Sequence, residues 1–208
     1  MAGKHQELVA KEGWVFLFPT ALAALLLFIL GWVISGGIVA VLAVYIAYFF
    51  RNPYRQIPED PKGIVSPADG KIVAVRHLDD GRVMISVFLN IFNVHVNRSP
   101  IAGEVETVLH TPGKFLAAYK EEASTLNEQN KVVVRDGDFA MEVIQIAGLV
   151  ARRIICWTKT QDTLAKGERF GLIRFGSRVD LYFPDECDIL VTEGQKVSAG
   201  SDLIARRR

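Results

Sequence analysis

The chain has 208 residues and a formal net charge of +1, which suits one modest domain plus an appendage and lacks the basic surplus of a nucleic-acid binder. Its two cysteines, Cys156 and Cys187, stand far apart without CxxC spacing, which argues against a zinc site or a disulfide framework. They read as two reduced thiols of a cytosolic domain.

Hydrophobicity is unevenly spread. Residues 13–50 contain no charged side chain, and about twenty apolar residues already span a bilayer as a helix. The run is nearly twice that long, and "GWVISGG" (31–37) supplies glycines in its middle that turn the chain without a Cβ penalty. Two short membrane helices are expected, over 14–30 and 36–50, with one long tilted span or a re-entrant hairpin as alternatives. The run is too long for a cleaved leader. Lys4 and Lys11 precede it, and Arg51 and Arg55 follow it. The positive-inside tendency then puts both ends in the cytoplasm.

"RNPYRQIPEDPKG" (51–63) carries Pro53, Pro58 and Pro61 and reads as an extended linker. From Ile64 the pattern is mostly β. "KIVAV", "RVMISVFL", "EVETVL", "KVVVR", "FAMEVIQI", "LYF" and "DILV" are short runs rich in Val, Ile and aromatics. "DDGR" (79–82) and "RDGD" (135–138) predict Asp-Gly hairpin turns. "PGKFLAAYKEEASTLNEQN" breaks the pattern as a helix or a loop. "SPADGKIVAV" from Ser66 is echoed by "SPIAGEVETV" from Ser99, and "TEGQKVSAGSDLIA" adds a further strand pair. The fold class expected is mainly β (α+β): an N-terminal membrane helical hairpin (1–50), the linker (51–63) and a small barrel- or sandwich-like β-domain (64–208) of the lipoyl-carrier kind. No Walker loop, dinucleotide glycine pattern or HExxH pair occurs.

Few residues are placed for chemistry. His5 lies in the N-terminal tail and His77 beside a hairpin turn. His95, in "IFNVHVNRSP", alternates with Val94 and Val96 and shares a strand face with Asn93 and Asn97. His110 ends a strand before Thr-Pro-Gly. Asp69 sits in "SPADGK", where aspartate commonly bonds its own turn. Ser177 follows Gly176 in "RFGSRVD", a common loop dipeptide. Each alone fits a bland role. Together, Ser177, His95 and Asp69 make a candidate nucleophile, base and orienting carboxylate.

The ordered set "RNPYRQIP", "VSPADGKIV", "FLNIFNVHVNRSPIAGEV", "HTPGKF", "NEQN" and "FGSR" resembles the phosphatidylserine decarboxylase proenzymes of the short prokaryotic type, over nearly the whole chain. The resemblance implies self-cleavage between Gly176 and Ser177. His95, oriented by Asp69, takes the Ser177 proton, and the hydroxyl attacks the Gly176 carbonyl. A β-chain (1–176) and an α-chain (177–208) result, and residue 177 becomes a pyruvoyl group. The resemblance further implies that this group forms a Schiff base with the amine of phosphatidylserine, releasing CO₂ and phosphatidylethanolamine. No pyridoxal phosphate and no metal are implied. Partners implied are the lipid substrate, membrane lipid, the two chains of one precursor and further copies of the chain, with no nucleic acid. Location at the cell membrane, with the β-domain on the cytoplasmic side, follows from the apolar run.

Many larger relatives carry a second histidine three residues before the one matching His95. Phe92 stands there in this chain, which leaves His95 reused, His110 or a water to handle protons in decarboxylation. Arg51, Arg55 and the Arg206–Arg208 tail are candidates for attraction to anionic lipid, the tail being equally well read as solvated and unstructured. Two other classes remain open: a non-enzymatic membrane-anchored adaptor with a lipoyl-like β-domain, and a membrane serine peptidase.

Overall fold

A computed structural model of the chain describes residues 7–116, 122–148, 153–174 and 176–208. It has two compact units, dividing between Tyr54 and Arg55. His5, Lys4 and the centre of the "PGKF…NEQN" stretch lie outside the described residues.

The first unit is a pair of apolar helices, α1 (Lys11–Ile29) and α2 (Val33–Phe49). Gly31, at φ +78°, makes the turn between them, so Gly36 and Gly37 fall inside α2. Small residues let the two helices approach. A Cβ at Gly36 would lie 2.8 Å from Phe28, and one at Gly13 2.6 Å from Phe50. At the open end Ala10 N donates to Phe50 O (2.9 Å) and Asn52 N to Leu8 O (2.7 Å). By length and composition α1 suffices to cross a membrane, and α2 is a shorter apolar helix. Nineteen residues of α-helix reach about 28 Å.

The second unit is mainly β. Its strands are β1 (Gly63–Val65), β2 (Gly70–His77), β3 (Arg82–Leu89), β4 (Val96–Arg98), β5 (Gly103–Thr111), β6 (Gln129–Asp136), β7 (Phe139–Ile146), β8 (Ile154–Cys156), β9 (Thr163–Leu164), β10 (Arg169–Ile173), β11 (Ser177–Pro184), β12 (Cys187–Ile189), β13 (Lys196–Val197) and β14 (Leu203–Arg207), with one short helix, α3 (Ala123–Leu126). Eight strands form an antiparallel sheet in the order β13-β2-β3-β11-β7-β6-β5-β9, curled into half a barrel. Two three-stranded sheets, β1-β14-β12 and β4-β10-β8, accompany it. Alternation dictates the inside: Val83, Ile85, Val87 and Leu89 of β3 and Val179, Leu181 and Phe183 of β11 join one buried core. Both Asp-Gly turns form, with Gly81 at φ +78° and Gly137 at φ +60°. The Arg206–Arg208 tail is not an unstructured end. Arg206 and Arg207 belong to β14, and the three side chains pair with Asp60, Asp136 and Asp188.

The Ser-Pro echo is a structural duplication. Ser66 Oγ donates to Ala68 O and Ser99 Oγ to Ile101 O, each at 2.7 Å. Gly70 and Gly103 then open β2 and β5 against a carbonyl, Phe88 O or Arg135 O, that would lie 2.2 or 2.3 Å from a Cβ. The two copies also bond reciprocally: Val65 N to Pro100 O, and Arg98 N to Pro67 O. Gly200 N binds Ser66 O as Gly167 N binds Ser99 O, each at 2.8 Å. Each half therefore supplies the turn that closes the other.

Candidate functional site

Ser177 is the first residue of β11, with Cα opposite Leu89 at the end of β3. Ile173, the last residue of β10, donates its N–H to His95 O (3.2 Å). The chain from 89 to 95 and the chain from 173 to 177 are thus tied to each other at both ends. Gly176 is held beside the loop that carries His95. That loop is pinned by its asparagines: Asn90 N donates to Asn93 Oδ1 and Phe92 N to Asn90 Oδ1, both at 2.9 Å.

Gly176 has φ +59°, and a Cβ there would meet nothing within 4 Å. Its glycine is required by backbone conformation, not by space. The following Ser177 is fully buried, and its Oγ has no hydrogen-bond partner among the described residues. A buried hydroxyl without a partner is uncommon in folded proteins and marks a candidate functional group.

His95 is fully buried, just before β4 rather than within a strand. Its Nδ1 lies 2.9 Å from Asn93 O. A carbonyl only accepts, so Nδ1 carries the proton and Nε2 holds the basic lone pair.

Asp69 takes no part in its own turn. Its carboxylate accepts two bonds from Arg55 Nη2 (2.9 and 2.7 Å) and one from Ala199 N (2.8 Å). The duplicated turn has Ala102 at the matching position and forms without a carboxylate, so the turn does not explain Asp69. Beside Asp69, burial, with Arg169 and Arg55 adding repulsion, lowers the Arg98 guanidinium to about 10. Arg55 belongs to this cluster, not to a free basic linker. His110 ends up half exposed on β5, its Nε2 3.8 Å from Glu128 Oε1 and its Cα opposite Asn130. Phe92 is 60% exposed at the loop tip.

Sequence reasoning missed a buried row of amides behind Ser177. Asn130 Nδ2 donates to Gln145 Oε1 (3.0 Å), and Gln145 Nε2 donates to Asn97 Oδ1 (2.8 Å). All three side chains are buried. The signal was available: Gln145 has the strand parity of Met141 and Val143, and Asn130 that of Val132 and Val134, all core positions. Gly171 makes room, since a Cβ there would lie 2.8 Å from Gln145 Nε2.

On the other face of β11, Arg178 Nη2 donates to Asp180 Oδ2 (2.9 Å) and contacts Ser124 Oγ. Burial pushes the Asp180 carboxyl up, against the pull of Arg178 and Ser86. No cluster of three or more His, Cys, Asp or Glu side chains suited to a metal ion occurs among the described residues.

Comparison with known proteins identifies the relatives of this arrangement. The family model described as phosphatidylserine decarboxylase matches residues 42–205. A phosphatidylserine decarboxylase proenzyme of Syntrophus aciditrophicus is 45% identical, covering 95% of this chain and 96% of the relative. One from Symbiobacterium thermophilum is 40% identical with 99% of each covered, and one from Cupriavidus pinatubonensis 46% identical with 95% and 94% covered.

Proposed function

The chain belongs to the phosphatidylserine decarboxylase family, and on that premise we propose that it is a proenzyme that cuts itself between Gly176 and Ser177 and then decarboxylates phosphatidylserine to phosphatidylethanolamine. The observation that carries this reading is the pairing of Gly176 at φ +59° with a buried Ser177 whose Oγ is unpartnered among the described residues.

In this reading His95 Nε2 accepts the Ser177 hydroxyl proton, and Oγ attacks the Gly176 carbonyl. The Gly176–Ser177 amide becomes an ester, freeing the amine of residue 177. Loss of the Cα proton of residue 177 then breaks the Cβ–Oγ bond. That oxygen remains with Gly176 as part of its carboxylate. The enamine left on residue 177 takes up water and releases ammonia, giving a pyruvoyl end. Serine fits, because it supplies both the nucleophile and the three carbons. The pyruvoyl group supplies an electron sink for the electrons left by CO₂. The rest is the chain's work: β11 fixes residue 177 in the core, His95 takes the proton at Nε2, and the proposal gives Asp69 the task of orienting His95.

The apolar helices serve in this proposal as a membrane anchor that keeps the β-domain at a lipid surface on the cytoplasmic side. The linker over 51–63, the domain over 64–208 with its lipoyl-carrier likeness, and assembly of several copies belong to the same proposal. The test is an intact mass of the purified protein under denaturing conditions. Two chains meeting at 176/177, the smaller one lighter by an ammonia than a serine-started peptide, support it. One unbroken chain in an active preparation overturns it, and Ser177→Ala is expected to stay whole and inactive.

A further inference from the structure

The amide row has a direction. Asn130 donates to Gln145 and Gln145 donates to Asn97, so each bond polarises the next toward Asn97. The row ends on Asn97 Nδ2, an N–H donor on a fully buried side chain with no partner among the described residues. Ser177 Oγ is likewise buried and without a partner among the described residues.

Register relates the two orphans through Gln145. Gln145 lies opposite Val179, and Ser177 is two residues along from Val179 on the same inward face. Gln145 and Ser177 are therefore diagonal neighbours, about 7–8 Å apart between Cα atoms and within reach of a long side chain. Asn97 carries the row from Gln145 across to β4, where His95 stands two residues earlier. Leaving a donor buried and unsatisfied is costly, so a group beyond the described residues is expected to accept from it.

Resting on the function proposed above, we infer that Asn97 Nδ2 binds the carboxylate of the serine head group. The substrate amine must reach residue 177, and its carboxylate is attached to the adjacent carbon, so a donor near residue 177 meets that carboxylate. An uncharged donor suits the task. The carboxylate gives up its charge as it leaves, and an arginine in this place would stabilise the bound substrate more than the transition state. The product lacks the carboxylate and gains nothing from Asn97. The residue then selects the serine head group over the ethanolamine one.

The test compares wild type with Asn97→Asp, which keeps the shape and the acceptor for Gln145 but removes the donor. Both are first shown by intact mass to be cut at 176/177. The expected result is a KM for phosphatidylserine in detergent micelles raised about 10- to 100-fold, with kcat falling less and the inhibition constant of phosphatidylethanolamine unchanged. If Asn97→Asp does not fold, Gln145→Glu carries the same comparison, because it removes the donor that holds Asn97 in place. Equal changes for substrate and product would overturn the inference, as would an unchanged KM. An uncut variant beside a cut wild type would overturn it too, assigning the donor to the Gly176 carbonyl. A wild type that is neither cut nor active would instead sink the functional reading itself.

Discussion

His95 Nδ1 lies 2.9 Å from the carbonyl oxygen of Asn93, two residues earlier in the same loop. The bond fixes the tautomer from within the loop and leaves Nε2 with the basic lone pair. It also makes the ring's orientation a local property, held by the asparagine-pinned turn over 90–93.

His95→Gln should therefore fold and remain largely uncut. General-base assistance contributes about 10²- to 10⁴-fold, so the half-time of cleavage should lengthen by at least about 100-fold. The uncut fraction against time, read by intact mass, checks this.

Asp69 and Arg55 make a charge-assisted pair at 2.7 Å, mostly shielded from solvent. Asp69→Asn should cost about 1.5–3 kcal/mol of stability, and Arg55→Ala a similar amount through the same bonds. If Asp69 also acts on His95, Asp69→Asn will slow cleavage at matched stability while Arg55→Ala will not. Equal slowing by both would leave Asp69 only a structural role. Melting curves and cleavage rates on both variants decide between these.

Gly176→Ala introduces no clash, since a Cβ would meet nothing within 4 Å, but it places an L residue at φ +59°. In a Ser177→Ala background, which keeps the chain whole, the cost should be about 1–2 kcal/mol. Denaturant unfolding measures it. A neutral result would mean that the backbone relaxes out of the left-handed region without penalty.

Burial pushes the Cys187 thiol up, against the pull of Arg207 and Arg208. The folded protein then prefers the neutral thiol. Its contribution is fully present below the unfolded value of about 8.5 and is lost as pH rises through the higher folded value. The stability difference between wild type and Cys187→Ala should be flat up to about pH 8.5 and shrink above it. Unfolding midpoints across pH 7–10 test the sign.

The hairpins were legible in the sequence because alternation and Asp-Gly turns act over neighbouring residues. The buried face of "FAMEVIQI" follows from its period of two. The helix pair was legible in kind, and its boundaries moved because Gly31 alone makes the turn. "PGKF…NEQN" stayed open between helix and loop, and only Ala123–Leu126 is helical among its described residues. Arg55 and the amide row were illegible in role because their partners lie far along the chain: Arg55 meets Asp69 across the linker, and Gln145 meets Asn97 across two sheets. The Ser-Pro echo looked weak as text. It is strong as structure, because its meaning lies in the bonds the two copies exchange.

Strand β11 is hydrogen-bonded on both edges, to β3 and to β7. The cut proposed at its first residue would free a chain end in the middle of a sheet, with nowhere to go short of global unfolding. The proposed break would be a nick rather than a separation, and the new terminus would keep the positional discipline of a core residue. Such a cut would also act as a ratchet. The precursor folds as one chain at any concentration, whereas a nicked protein once unfolded must find its other piece, so its recovery becomes second order and fails on dilution.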